Sequence, residues 1–146
     1  FLEFIETELI PFVEKRYRAS SDRTLVGHSY GGLFSLWTAL TEPALFRRVL
    51  AVSPSIWYDD QLLLRLEARQ RAAGGRLPER LYMTAGDLEN PVMAGDLRAL
   101  AAQLPARGDS STRLHAEVLE GETHNSIFAS GFSRGLRWLF ADMGAR

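Results

Sequence analysis

The chain has 146 residues, 46% of them hydrophobic and 24% charged, with a formal net charge of −1. That length and balance fit one globular domain and exclude a disordered chain, and a near-neutral charge without single-sign runs gives no footing for a nucleic-acid or membrane-surface partner. No apolar run approaches the roughly 18 residues needed to span a bilayer, and the absence of cysteine excludes disulfides, cysteine-ligated metal sites and a thiol nucleophile.

From the start, Phe1, Phe4, Ile5, Leu9, Phe12 and Val13 fall at helical spacing with acids between them. This predicts an amphipathic helix over Phe1 to Arg18, kinked at Pro11 and ended by "ASSD". "RTLVG" then reads as a short buried strand and "SYGGLFSLWTAL" as a helix. "RRVLAVSPS" is a second strand whose continuous apolar run implies burial on both faces. A helix over Asp59 to Arg71 stops at "AGG", a third strand lies in "RLYMTAGD", and Val92 to Leu104 is helical. "TRLHAEVLEG" is a fourth strand, and Ser126 to Phe140 the last helix. Strand–helix alternation predicts an α/β fold, a parallel sheet of about four strands joined by right-handed crossovers. Ligands of such sheets bind outside the carboxyl ends of the strands, so the segment after each strand is where chemistry is expected.

After the first strand comes Gly27-His28-Ser29-Tyr30-Gly31-Gly32. A strand that turns sharply into a helix crowds its own backbone, and Gly27 and Gly31 are expected to relieve that crowding. The turn is the G-x-S-x-G elbow, which holds a serine hydroxyl above the sheet at a helix N-terminus. Ser29 is then a nucleophile, and the Tyr30 N–H a donor to a developing oxyanion. The second strand is followed by "SPSIWYDD", in which Trp57 and Tyr58 either wall a substrate pocket or anchor the loop on the core. The third is followed by "AGDLEN", which offers Asp87 and Glu89 as the acid that orients a histidine, or as loop charges and helix caps. The fourth is followed by "GETHNSIF", which places His124 in a loop before the last helix, with Asn125 or Ser126 as N-cap. Of the other histidines, His28 lies inside the elbow and is expected to pack beneath it, and His115 lies mid-strand. His124 is left as general base. The order nucleophile, acid, base is that of the α/β-hydrolases. Scattered histidines without an H-E-x-x-H pattern provide no metal-ligand set.

Together "VGHSYGGLFSLW", "VSPSIWY", "TAGDLEN" and "GETHNSIF" resemble the putative-esterase family of α/β-hydrolases. That family includes enterobactin-type siderophore esterases, S-formylglutathione hydrolases and feruloyl esterases. "SPSIWY" is most similar to the siderophore-esterase branch. The resemblance implies Ser29 as nucleophile, His124 as base and, three residues after the strand-end Gly86, Glu89 as acid. It implies a serine esterase acting on a small-molecule ester with no cofactor and no metal. It also implies that these four strands are the last four of a longer sheet. The chain is then expected to be the C-terminal part of an α/β-hydrolase domain whose N-terminal part supplies the second oxyanion donor and one side of the pocket. The "RTLVG" strand is accordingly expected at an open sheet edge, and the isolated chain to be weak or inactive. Two rivals share the fold: an acyltransferase, with an alcohol replacing water, and a non-catalytic binding domain.

Overall fold

The computed structural model describes residues 1–107 and 111–143. Four strands form one sheet in the order β1-β2-β3-β4: β1 Thr24–His28, β2 Arg48–Val52, β3 Arg80–Gly86 and β4 Arg113–Leu119. All neighbours pair in parallel, with Gly27 opposite Ala51, Val52 opposite Thr84 and Gly86 opposite Leu119. The carboxyl ends of the strands therefore lie along one edge.

Parallel strands need crossovers, and helices supply them: α3 Tyr30–Thr41, α4 Tyr58–Ala72, α5 Pro91–Gln103, and α6 Ile127–Leu139 after the last strand. Because side chains alternate along a strand, each strand serves two cores. Val49, Ala51, Leu81, Met83 and Ala85 pack with Leu36, Leu40, Leu63, Leu97 and Leu100, so α3, α4 and α5 cover one face. Leu50, Val52, Tyr82 and Leu119 pack with Ile127 and Leu139, so α6 covers the other. β2 and β3 are buried along their whole length, whereas β1 lies at a sheet edge with all its residues half-buried.

At the opposite, amino-terminal edge, Arg48 and Arg80 face each other across β2 and β3. The Arg48 Nε donates to the Leu139 carbonyl at 3.1 Å, and Arg80 Nη1 to the Trp138 and Leu139 carbonyls at 3.1 and 3.2 Å. These guanidinium groups satisfy the orphan carbonyls at the C-terminus of α6 and place positive charge where its dipole is negative. Asp22 pairs with Arg48, and Asp142 with Arg80.

Three local expectations need correction. The first helix is not continuous with a kink at Pro11. It runs as α1 Leu2–Phe4, a π-helical turn Ile5–Leu9 and α2 Ile10–Arg16. Proline has no N–H and its ring collides with the carbonyl four residues back, so the widened turn falls before Pro11, not at it. Ile5 is the only buried residue of this segment; Phe1, Phe4, Leu9 and Phe12 are exposed. Secondly, the start of α4 is not regular helix. Asp59, Asp60 and Gln61 have φ of +48°, +50° and +58°, and Arg65 holds the Asp59 carbonyl at 2.9 Å and that of Asp60. Thirdly, α5 is capped by neither Asp87 nor Glu89. The Asn90 Oδ1 accepts from the Val92 N–H at 3.1 Å, with Pro91 in the first turn.

Candidate active site

β1 runs straight into Ser29, whose φ of +59° and ψ of −118° lie outside the regions an L-residue favours. Three backbone hydrogen bonds hold that conformation. The Ser29 N–H donates to the Val52 carbonyl at 3.0 Å, and its own carbonyl accepts from Leu33 N at 2.9 Å and Ser55 N at 3.1 Å. A Cβ on Gly27 would lie 1.9 Å from the Gly31 carbonyl oxygen, so only glycine fits there. Gly31 itself has open space where its Cβ would be, contrary to the sequence expectation. The second close approach is made by Gly32, whose Cβ would lie 2.9 Å from the Cα of Pro54. Packing of α3 on the loop after β2 sets that requirement.

His124 and Glu89 reach Ser29 because the loops after β3 and β4 are stapled together. The Asp87 N–H donates to the Leu119 carbonyl and the Leu88 N–H to the Glu122 carbonyl, both at 3.1 Å. The Asp87 Oδ1 accepts from the Gly121 N–H at 2.7 Å. A Cβ on Gly86 would come within 2.1 Å of the Glu122 carbonyl oxygen, so that contact too demands glycine. Past the staple, Thr123 and Ser126 exchange hydrogen bonds: Thr123 N–H to Ser126 Oγ at 3.0 Å and Ser126 N–H to Thr123 Oγ1 at 3.2 Å. Ser126 is the N-cap residue of α6, yet its side chain serves this loop and not the helix. It also donates to Glu122, and with Ser130 it holds the Glu122 carboxyl below the usual carboxylate range.

The result is a chain of short contacts. The Ser29 Oγ lies 3.1 Å from His124 Nε2, and His124 Nδ1 lies 2.6 Å from Glu89 Oε2. The tautomer that carries its hydrogen on Nδ1 donates to Glu89 and leaves Nε2 to accept from the Ser29 hydroxyl. The Glu89 side chain is 1% exposed and that of His124 39%, so the acid is sealed while the imidazole meets the cleft. The other Glu89 oxygen, Oε1, accepts from the Gly86 N–H at 2.6 Å and the Ser53 hydroxyl at 2.5 Å. Asp87 faces Gly121 instead, so of the two carboxylates in "AGDLEN" only Glu89 meets the imidazole.

A cleft of about 370 Å³ opens over these groups. Ser29, Tyr30, Trp57, Glu89 and His124 line it together with Ser55, Asn90, Val92 and Met93. Tyr58 is not among the lining residues; it packs edge-on against Tyr30 at 5.9 Å, as Trp57 does at 6.0 Å. Trp57 and Tyr58 are 42% and 44% exposed, so neither anchors its loop in the core. Tyr30 opens α3, and its N–H is one of the first-turn amides without an intrahelical acceptor. His28 is half-buried beside the elbow. Its Nε2 lies 2.9 Å from the His124 carbonyl oxygen, and its ring packs against the rings of His124 and Phe128. His115 stacks on Tyr82 at 5.2 Å, within β4. Ser53 was the residue sequence reasoning missed; it stood in plain view in "SPSIWYDD", but nothing in its spacing ties it to a carboxylate 36 positions away. Among the described residues, no group of three or more His, Asp or Glu side chains is arranged to hold a metal ion, and no helix is long and apolar enough to cross a membrane.

Residues 1–136 match the family model described as "Putative esterase". The chain is 32% identical over 144 residues to the ferri-bacillibactin esterase BesA of Bacillus subtilis, covering 94% of this chain and 50% of that one. It is 31% identical over 169 residues to the siderophore triacetylfusarinine C esterase of Aspergillus fumigatus, covering 97% and 58%. Among solved structures, the BES protein from Bacillus cereus superposes with a TM-score of 0.87 at 30% identity, over 95% of this chain and 53% of that one. The chain thus spans about half the length of the curated relatives it matches. With the family model covering most of its length and the sheet, elbow and flanking helices in place, the chain belongs to the putative esterase family of α/β-hydrolases.

Proposed function

We propose that the protein is a serine esterase that cleaves carboxylic esters through an acyl-enzyme on Ser29. The observation that carries this reading is the unbroken contact from Ser29 Oγ through the His124 imidazole to the buried Glu89 carboxylate. The Ser29 Oγ attacks the ester carbonyl as His124 Nε2 takes its proton, and Glu89 stabilises the imidazolium that forms. The Tyr30 N–H donates to the oxyanion, and a second donor comes from the part of the protein outside these residues. When the carbonyl reforms, the carbon–oxygen bond to the leaving alcohol breaks and the alkoxide takes the proton from His124. Water, deprotonated by the same nitrogen, then attacks the acyl-serine; the carboxylic acid leaves and Ser29 regains its proton.

The substrate we infer is an ester-linked siderophore. Two features support it: the names of the relatives, and a cleft whose wall beside Ser29 carries Tyr30 and Trp57, with Val92 and Met93 also lining it. Such a wall suits flat aromatic or apolar acyl groups. Tyr58 packs edge-on against Tyr30. The test is to offer the full-length protein a ferric catecholate trilactone, S-formylglutathione and short p-nitrophenyl esters. We expect hydrolysis that depends on Ser29, with the largest kcat/KM for the trilactone. Preference for S-formylglutathione would refute the substrate; Ser29-independent turnover would refute the mechanism.

A further inference from the structure

We infer that Ser53 is a positioning residue for the acid of the catalytic chain: its hydroxyl fixes which oxygen of Glu89 is presented to His124. This rests on the esterase reading above.

Ser53 is the first residue after β2 and is completely buried. Its φ of +44° lies in the left-handed region, uncommon for a residue other than glycine. Its N–H continues the sheet ladder, donating to the Thr84 carbonyl at 2.7 Å. With the backbone turned there, the Oγ donates to Glu89 Oε1 at 2.5 Å. The Gly86 N–H donates to the same oxygen at 2.6 Å. Both donors therefore occupy Oε1 and leave Oε2 to His124 Nδ1 at 2.6 Å.

That division has a mechanical consequence. A buried carboxylate can rotate about its last torsion, which is broad and roughly two-fold. A single backbone donor on Oε1 restrains the position of that oxygen but sets the plane of the group only weakly. Two donors from different strands, Ser53 at the end of β2 and Gly86 at the end of β3, fix the plane as well. They also satisfy an oxygen that would be costly to bury unpaired. Triad chemistry depends on the acid holding the imidazole in one tautomer and one orientation, so loosening Glu89 acts on Ser29 at two removes.

The test uses the full-length protein with Ser53→Ala and Ser53→Gly. Alanine removes the hydroxyl and keeps the left-handed backbone strain; glycine removes the hydroxyl and relieves the strain. Outer partners that orient metal-ligating side chains typically account for about 10- to 100-fold, and the same order is taken for this carboxylate. We expect both variants to lose about that much in kcat with KM nearly unchanged. We also expect both to shift the far-downfield proton resonance of the His124 Nδ1–H. Normal kcat in Ser53→Gly, alone or in both variants, overturns the inference, because the residue then matters only for its backbone. An unaltered Nδ1–H resonance with KM and kcat changing together also overturns it. Failure of the esterase reading is separate: the parent protein would then show no Ser29-dependent turnover at all.

Discussion

The His28 ring is bonded to the loop that carries the proposed base: its Nε2 lies 2.9 Å from the His124 carbonyl oxygen, and the two imidazoles are 4.6 Å apart. A carbonyl can only accept, so His28 Nε2 carries a proton. The residue before the nucleophile thus ties the end of β1 to the loop after β4, across the width of the sheet. Replacing it with alanine should cost about 1 kcal/mol of stability, the usual net worth of such a bond, and lower kcat several-fold by freeing the His124 loop. Glutamine retains a donor and should recover much of both. Urea unfolding and steady-state kinetics on the two variants check this; equal losses in alanine and glutamine would show that the bond is incidental.

Glycine requirements at the elbow are unequal, and stability should reveal it. Gly27→Ala forces a Cβ to within 1.9 Å of a backbone oxygen that cannot move without unwinding α3. Overpacking of this kind costs typically about 1–3 kcal/mol and occasionally more, and the upper end is expected here. Gly31→Ala meets nothing within 4 Å and should be neutral or stabilise by up to about 1 kcal/mol, since alanine favours helix over glycine. The thermal melt of Gly27→Ala should fall well below the parent's, while that of Gly31→Ala should stay level or rise.

Asp87 and Glu89 should also separate cleanly. Glu89→Gln presents an amide to His124 and disturbs the tautomer, which in a Ser-His-acid arrangement lowers kcat about 10⁴-fold. Asp87→Asn keeps an oxygen for the Gly121 N–H and should leave kcat within a few-fold. Kinetics on both variants of the full-length protein check the assignment, and a larger loss from Asp87→Asn would reverse it.

Tyr82 gives the fold an alkaline limit. Burial first, and then its hydrogen bond to Glu117, push its phenol well above the usual tyrosine range. Because the folded-state value is raised, the stabilisation is fully present below the ordinary tyrosine pKa of about 10 and is lost as pH rises above it, where only the unfolded chain ionises freely. Tyr82→Phe should sacrifice about 1 kcal/mol at neutral pH for the lost bond and flatten the fall in stability from pH 9 to 11. Parallel slopes for the two proteins in urea titrations would exclude Tyr82 as the cause.

Much of the architecture was legible because one physical signal dominated. In "RRVLAVSPS" the unbroken apolar run could only suit a strand with helices on both faces, and Val49 and Ala51 do pack on one side while Leu50 and Val52 pack on the other. The four strand ends share an edge because all pairings are parallel, so the loops worth inspecting could be named without coordinates. What stayed hidden depends on contacts between loops. The residues of "AGDLEN" alone leave both Asp87 and Glu89 open as the partner of His124, and only the family resemblance points to Glu89; the bond to the Gly121 N–H that holds Asp87 away lies outside any local pattern. The left-handed backbone of Ser53 and of Asp59 to Gln61 is likewise imposed by tertiary partners on residues with no propensity for it. The π turn at Ile5–Leu9 is a local effect: the sequence predicts a kink at Pro11, and the structure has a widened turn before it.

The proposed mechanism makes Ser29 a nucleophile activated by His124. The most direct measurement is intact-mass and peptide mapping of the full-length protein after exposure to a fluorophosphonate. One adduct is expected, on Ser29, absent from Ser29→Ala and formed much more slowly in His124→Gln. Undiminished labelling of Ser29→Ala, or an adduct on any other residue of the wild type, would contradict it.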